Sequence, residues 1–292
     1  MTEDRRTPRR PFDAALIREF LHGRDVVSAE LFPSGNSNTN YKLVLADGTA
    51  CVVRLHAAES AAREEYALGL VRSIVPVPQV LARGADWSIH SFLEGEQLAH
   101  CPEHTHAAAV ALARISAIPF PSAGWIQDDG SVTPFDFGGG KSFVAAMLDR
   151  TDVQRWLGPA TVTALRAIEA EQPRRQEPAA QPCLVHGDFN PTNILIRHGR
   201  VSGILDWEFT HAGGRYMDIG NLLRHTPAAY QDQIPSGLQA GGVTLPADWK
   251  RRAELVDLSS HLEFLTSQRA DGFKKQCVSW IQAFIARYQT VR

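Results

Sequence analysis

The 292-residue sequence has no excess of charge of either sign, because 32 Asp and Glu residues oppose 30 Lys and Arg and leave a formal net charge of −2. Proteins that bind nucleic acid or an anionic membrane usually carry a basic excess, so the sequence favours neither partner. It also has no uninterrupted apolar run close to the about 20 residues that a membrane helix needs. We therefore expect a soluble protein that acts on a small molecule.

Cysteine is also scarce. The four cysteines are scattered without a C-x-x-C pair: Cys51, Cys101, Cys183 and Cys277. This spacing predicts neither a disulfide framework nor a thiolate metal site, and it favours a reducing compartment such as the cytoplasm. Residues 1–12 mix acidic and basic side chains, and no apolar segment follows them, so they do not resemble a secretory signal.

The first hundred residues are rich in β-type segments. The order is three strands, a helix and two strands: "VSAELFPSG", "NYKLVLADG", "TACVVRLHA", a helix from Glu59 to about Ser73, "VPVPQVLARGA" and "WSIHSFLEGE". Asp47 and Gly48 separate the second strand from the third and predict a hairpin turn. We expect residues 1–95 to form a small antiparallel lobe.

Helical periodicity dominates after Gly95. Apolar residues recur at helical spacing in five segments: "HTHAAAVALARISAI", "SFVAAMLDR", "ATVTALRAIEA", "AELVDLSSHLEFLTSQ" and "CVSWIQAFIARY". A Pro-, Gln- and charge-rich connector, Glu171 to Pro182, interrupts them. Residues 96–292 are therefore predicted to form a mostly helical second lobe, and the whole chain an α+β fold.

One polar stretch lies between aliphatic runs, "LVHGDFNPTNILI" at residues 184–196. The segments on either side of His198-Gly199 are predicted to form a hairpin in which residue 193 lies nearly opposite residue 204. Asn193 and Asp206 then lie close together and offer the oxygen ligands that Mg²⁺ prefers. Asp188 precedes them in the same loop, where its carboxylate could accept a hydroxyl proton.

The order and spacing match the protein-kinase template, in which His-x-Asp is followed by Asn five residues after the Asp and then by a metal-binding Asp. The matching residues are His186, Asp188, Asn193 and Asp206. With "HGD" in place of "HRD", "DWE" in place of "DFG" and the following "YMDIGNLLR", the sequence resembles the aminoglycoside phosphotransferase and choline kinase superfamily.

This resemblance implies a two-lobed protein-kinase-like fold and the use of ATP and Mg²⁺ to phosphorylate a small hydroxylated acceptor. Asp188 would be the catalytic base, and Asn193 and Asp206 would hold Mg²⁺ with help from Glu208. Asp218 most simply caps the helix that follows it, and the resemblance implies that it also supports the catalytic loop, so that it could do both.

The resemblance also implies a nucleotide site in the first lobe. Its residues would be the nucleotide-covering loop Gly35, Asn36, Ser37 and Asn38, the phosphate-binding Arg54, its partner Glu64, and the adenine-binding hinge Ser91, Phe92 and Leu93. Glu65 competes with Glu64 for the pairing role. Two features depart from the family pattern, since Arg replaces Lys at position 54 and Asn190 stands where many relatives have His.

Two other functions are considered. A protein kinase is disfavoured because only nine residues, 209–217, separate Glu208 from Asp218, and no Ala-Pro-Glu follows. A non-catalytic nucleotide-binding protein is disfavoured because the candidate base and metal ligands are retained. The literal "DFG" and "GKS" within residues 135–142 precede the catalytic loop, and we instead expect a helix to begin near Ser142.

The acceptor site is the least defined. In the segment 250–268, a polar stripe at helical spacing runs beside four leucines and comprises Glu254, Asp257 and His261. It either faces solvent, with Asp257 and His261 paired, or faces the cleft and binds the acceptor. A choline-like cation would need aromatic walls, for which Trp249, Trp280 and Tyr288 are available. The sequence does not choose the acceptor or predict the oligomeric state.

Overall fold

A five-stranded antiparallel sheet opens the computed structural model, which describes residues 8–32, 38–56, 61–171 and 181–290. The strand order is β1-β2-β3-β5-β4. The strands are β1 (Val26–Leu31), β2 (Thr39–Leu45), β3 (Ala50–Leu55), β4 (Val80–Arg83) and β5 (Trp87–Ser91). All five predicted strands are therefore present.

The predicted hairpin between β2 and β3 is confirmed. Gly48 has a φ of 81°, which glycine adopts without steric cost, and its N–H donates to the Leu45 carbonyl over 2.9 Å. The Asp47 carboxylate accepts from the Thr49 N–H over 2.8 Å. Alternate residues of the sheet, including Leu43 and Val53, are fully buried against Ile17 and form a separate small core.

Helix α2 (Ala61–Val71) follows β3 and connects this sheet to the rest of the molecule. The other helix of this region, the short α1 (Arg18–Leu21), precedes β1. Ala67, Leu68 and Val71 on α2 are buried in the same core as Trp207. Packing therefore fixes α2 against the second half of the chain, and it fixes the position of Glu64 at the start of the helix.

The chain joins a second set of strands at β6 (Glu96–Gln97), which pairs with β10 and lies directly after the predicted boundary between residues 95 and 96. The remaining strands are β7 (Trp125–Ile126), β8 (Val132–Thr133), β9 (Cys183–Val185), β10 (Ile194–Arg197), β11 (Arg200–Ile204) and β12 (His211–Gly213). They form the small sheets β11-β10-β6, β12-β9 and β7-β8.

Helices make up most of this second part. They are α3 (Thr105–Ile115), α4 (Phe143–Leu148), α5 (Thr151–Glu171), α6 (Tyr216–His225), α7 (Gln233–Ala240), α8 (Trp249–Thr266) and α9 (Asp271–Thr290). The predicted start of α4 is confirmed, because the Ser142 hydroxyl accepts from the Ala145 N–H over 3.0 Å. The fold is α+β and protein-kinase-like, as expected. No helix among the described residues has the length and apolar character to cross a membrane.

Two cores support the helical part. Helices α3, α6 and α7 and the start of α8 share one with β10, β11 and Trp207, whereas α4, α5, α9 and the rest of α8 share the other. A glycine allows α7 to pack closely against α3, since a Cβ on Gly237 of α7 would lie 2.4 Å from the His106 carbonyl on α3. The strands β10 and β11, which follow the polar loop, are thereby held against the first of these groups of helices.

Candidate active site

The polar loop at residues 186–193 begins where β9 ends. His186 is fully buried, and its Nε2 donates to the Leu205 carbonyl over 2.9 Å, which ties the loop to the end of β11. Gly187 has a φ of 85°, and a Cβ there would lie 2.4 Å from the Phe209 carbonyl. The backbone at this position therefore requires glycine, both for its conformation and for space.

Asp218 supports this loop from beneath. Its two carboxylate oxygens accept from the N–H groups of His186, over 2.7 Å, and of Gly187, over 2.9 Å. Burial raises the pKa of the Asp218 carboxyl to about 6, although the two backbone donors oppose that rise. The prediction that Asp218 caps the helix is wrong, because α6 begins after Arg215 and Asp218 lies inside its first turn.

Asp188 is oriented by two side-chain amides. Its Oδ1 accepts from the Asn190 Nδ2 over 2.8 Å, and its Oδ2 accepts from the Asn193 Nδ2 over 3.0 Å. The Asn190 amide oxygen in turn accepts from the Thr192 N–H over 2.9 Å. Asn190, which departs from the family pattern, therefore helps to fix the carboxylate and the turn that leads to Asn193.

The predicted hairpin after Asn193 is present with a shifted register. His198 and Gly199 both have positive φ, 51° and 70°, as the tight turn requires. Ile194 pairs with Ile204, so Asn193 lies opposite Leu205 rather than residue 204, and the Leu205 N–H donates to the Asn193 carbonyl over 2.8 Å. An irregularity between Leu195 and Ile196 shifts the pairing. Asp206 follows directly.

Asp206 has a left-handed backbone, with φ and ψ both 65°. That conformation is uncommon for a residue with a side chain and is typical of functional sites. Its carboxylate accepts from Nη2 of Arg54, whose Nη1 donates to Glu64. The expected Arg54–Glu64 pair is therefore present, whereas Glu65 pairs with Arg83 at the surface.

Glu208 lies beside the same cluster and accepts from the Asn38 Nδ2 over 2.9 Å. Burial raises the pKa of the Glu208 carboxyl to about 7, and the neighbouring Asp206 carboxylate adds to this rise. Three carboxylates, those of Glu64, Asp206 and Glu208, thus surround the single guanidinium of Arg54. A surplus of buried negative charge is the environment that accepts a hard cation.

The donor set fits Mg²⁺ in chemistry. Asp206 and Glu208 supply carboxylates, and Asn193 can supply its amide oxygen because its nitrogen donates to Asp188. Among the described residues, no three His, Cys, Asp or Glu side chains are grouped so as to hold a metal. A cation here would need further ligands from water or phosphate, as Mg²⁺ commonly does.

One cleft of ≈ 1230 Å³ joins these groups. It is lined by the candidate residues Asn38, Arg54, Glu64, Ser91, Phe92, Leu93, Asp188, Asn193, Asp206, Glu208 and His261. At the hinge, the Ser91 N–H donates to the Gln79 carbonyl over 2.9 Å, which leaves the Phe92–Leu93 segment along the cleft wall. Gly35, Asn36 and Ser37 lie outside the described residues.

Of the three residues in the predicted acceptor stripe, only His261 lines the cleft. His261 lies on the cleft wall, stacked on Trp280 with a centroid distance of 3.8 Å. Asp257 is buried and pairs with Arg224, and Glu254 pairs with Arg287 over 3.0 Å. Both carboxylates instead line a separate cavity of ≈ 140 Å³, because α8 turns that part of the stripe toward α6 and α9.

Sequence reasoning missed the other groups at this end of the cleft. They are Arg224, His225, Phe264, Arg269 and Phe273. They come from the end of α6, the end of α8 and the start of α9, so no local spacing in the sequence connects them. Trp280 was recognised only as an available aromatic residue.

Comparison with known proteins agrees with this geometry. The model of the phosphotransferase enzyme family matches residues 28–255, which include most of the first sheet, the polar loop and the cluster around Arg54. The chain belongs to this family. A search of curated proteins gives no match.

Solved structures similar to this phosphotransferase share its fold. A putative fructosamine-3-kinase from Thermobifida fusca has a TM-score of 0.71 at 18% identity, covering 94% of this chain and 100% of its own. Macrolide 2'-phosphotransferase MphH from Brachybacterium faecium has a TM-score of 0.66 at 16% identity, covering 92% and 98%. A thermostable mutant of aminoglycoside phosphotransferase APH(4)-Ia, in complex with ADP and hygromycin B, has a TM-score of 0.68 at 18% identity, covering 94% and 97%.

Proposed function

We propose that the protein transfers the γ-phosphoryl group of ATP, with Mg²⁺, to a hydroxyl group of a small molecule. One observation carries this proposal most directly: Asp188, oriented by Asn193, shares a single cleft with the Arg54, Asp206 and Glu208 cluster. A carboxylate acceptor for a proton and a site for a phosphate-bound cation are the two elements that phosphoryl transfer requires of a protein.

In this proposal, the nucleotide occupies the part of the cleft between the hinge Ser91–Leu93 and Arg54, next to Asn38. Arg54 changes partners when ATP binds, so that its guanidinium contacts phosphate oxygens while Glu64 keeps it in place. The structure with ADP and hygromycin B supports a nucleotide and a small acceptor bound together in this fold.

Asp188 orients the acceptor hydroxyl and takes its proton. The hydroxyl oxygen forms a bond to the γ-phosphorus, the bond from that phosphorus to the bridging oxygen breaks, and ADP leaves with the electron pair. Asn193 and Asp206, assisted by Glu208, would hold Mg²⁺, which when bound neutralises charge on the phosphates. Asn193 would thus link the base and the cation site, because its nitrogen donates to Asp188 and its oxygen would bind the cation.

A small acceptor is favoured over a protein substrate. The residues between Glu208 and Asp218 form the end of a 3₁₀ turn, the buried strand β12 and the first turn of α6. This short connection, in which residues 210–213 are buried, leaves little room for a surface loop on which a peptide could dock. Cytoplasmic location remains a prediction from the cysteine content.

One experiment distinguishes the proposed function from its rival, in which the protein binds a nucleotide without catalysis. Calorimetry would measure binding of Mg²⁺-ATP, and ADP release would be followed with a panel of hydroxylated compounds and in water alone. We expect binding together with ADP release that Asp188→Asn abolishes. The non-catalytic function would be favoured if the wild type bound Mg²⁺-ATP tightly but released ADP no faster than the Asp188→Asn variant with every compound.

A further inference from the structure

Arg269 lies between α8 and α9 and lines the cleft. Its guanidinium carbon is 4.8 Å from the ring centroid of Phe264 and also 4.8 Å from that of Phe273. The side chain is half-buried. Within the part of the chain that the structure describes, no carboxylate forms an ion pair with it.

The other guanidinium at this end of the cleft is in a different state. Arg224 donates to the buried carboxylate of Asp257, and its Nε donates to the His225 Nε2 over 3.1 Å. Its charge is therefore neutralised within the protein. Among the described cleft-lining residues between 221 and 280, Glu263 is the single carboxylate, and it is exposed. The positive charge of Arg269 is thus left without compensation.

Two aromatic rings beside a guanidinium restrict its orientation and remove water from its faces, but they leave the N–H groups at its edge unsatisfied. Those N–H groups form a planar fork that suits the two oxygens of a carboxylate or phosphate. An arginine that served only to cover the rings would have no need to face the cleft.

The surroundings of Arg269 are apolar. The rings of Phe264 and Phe273 lie at 5.4 Å from each other, and the Trp280 indole and the buried Cys277 line the same wall. Burial lowers the pKa of the His261 imidazole, which stacks on Trp280, and so favours its neutral form. A ligand at this end therefore meets the guanidinium of Arg269 beside an aromatic wall. The other charged groups in the lining here are Arg224, which is already paired with Asp257, and the exposed Glu263.

We propose that the acceptor carries an anionic oxygen group, a carboxylate or a phosphate, beside an apolar portion, and that Arg269 binds the anionic group. The inference rests on the proposed phosphotransferase function, because it assigns the acceptor side of that site. A polycationic acceptor would place like charge against Arg269 and is therefore excluded by this proposal.

Binding of four small probes to the full chain tests the inference even though the acceptor is unidentified. The probes share a phenyl ring and differ in the attached group: 3-phenylpropionate, 3-phenylpropionamide, 3-phenylpropylamine and phenyl phosphate. Ligand-observed NMR reports their affinities. We expect the two anions to bind at least about tenfold more tightly than the amide, and the amine to bind most weakly. Whichever anion binds more tightly identifies the group.

Two variants assign the preference to Arg269. Arg269→Gln should reduce the ratio of carboxylate to amide affinity to near one, and Arg269→Lys should retain part of it, because charge remains and the fork is lost. Arg155→Gln removes an exposed arginine that does not line the cleft and should keep the full ratio. Circular dichroism and Mg²⁺-ATP affinity verify that each variant is folded.

The outcomes separate this inference from the proposed function. Equal affinities for acid and amide, no binding of either, or a ratio unchanged in Arg269→Gln would overturn the role of Arg269. Asp188-dependent ADP release with hygromycin B but not with hydroxy acids would also overturn it, yet would uphold the phosphotransferase function. Failure to bind Mg²⁺-ATP together with an intact acid preference would reject the function and leave the anion site standing.

Discussion

Arg54 and Asp206 are joined by a hydrogen-bonded ion pair across the cleft, although 152 positions separate them in the sequence. Arg54 lies on a strand of the first sheet, and Asp206 follows the hairpin of the helical part. The residue proposed to bind phosphate is therefore hydrogen-bonded to a residue proposed to hold Mg²⁺. Under the proposed function, this contact would be exchanged for one guanidinium–phosphate contact and one carboxylate–cation contact.

Asp206→Asn tests that exchange. The substitution removes an anionic ligand, so we expect the Mg²⁺ concentration for half-maximal ATP binding to rise at least about tenfold. Titration of Mg²⁺ at fixed ATP measures the shift. Asp47→Asn, which alters an exposed carboxylate paired with Arg24, is the matched control. Coincident titration curves for Asp206→Asn and the wild type would remove Asp206 from the cation site.

Gly187→Ala should disrupt the catalytic loop. An added Cβ would lie 2.4 Å from the Phe209 carbonyl in a backbone with positive φ, so we expect a loss of about 1–3 kcal/mol in the free energy of unfolding, together with lower turnover. Chemical denaturation measures the first effect. Gly139→Ala isolates the backbone contribution, because Gly139 also has positive φ but open space around it. Equal losses in the two variants would show that close packing at Gly187 is unimportant.

His90 makes stability depend on pH. Burial, with help from the nearby Arg54, lowers the pKa of the His90 imidazole to about 3, so the folded protein holds it neutral while the unfolded chain protonates it near pH 6.5. The unfolded state binds more protons between these values, and stability falls as pH decreases through that window.

His90→Gln should therefore lose less stability than the wild type between pH 7 and pH 5, with a difference of about 2 kcal/mol for a fully buried group. Urea denaturation at the two pH values measures it. His106→Gln removes an exposed imidazole and controls for the loss of one histidine. A pH dependence identical to that of the wild type would mean that His90 does not contribute to acid sensitivity.

The local elements were predictable from the sequence because each carries its own signal. Asp47-Gly48 and His198-Gly199 mark tight turns, and the alternation of apolar residues marks the strands around them. The register of the second hairpin was predicted to within one residue, since the irregularity between Leu195 and Ile196 places Asn193 opposite Leu205 instead of residue 204.

The acceptor side was not predictable for a different reason. Helical spacing places Asp257 and His261 on one side of α8, but it does not say which neighbour covers that side. Asp257 is buried by Arg224, which lies 33 positions earlier, and the setting of Arg269 depends on aromatic residues of two helices. Such contacts follow from tertiary packing and leave no pattern in the sequence.

The most direct test of the account is the rate of Mg²⁺-dependent ADP release by wild type and Asp188→Asn at saturating ATP, in the presence of the best acceptor from the panel. Because Asp188 contacts the acceptor hydroxyl rather than the nucleotide, the variant should bind ATP with unchanged affinity and release ADP about 10²–10⁴-fold more slowly. A rate within a few-fold of the wild type would contradict the assignment of Asp188 as the base, and with it the proposed phosphoryl transfer in this cleft.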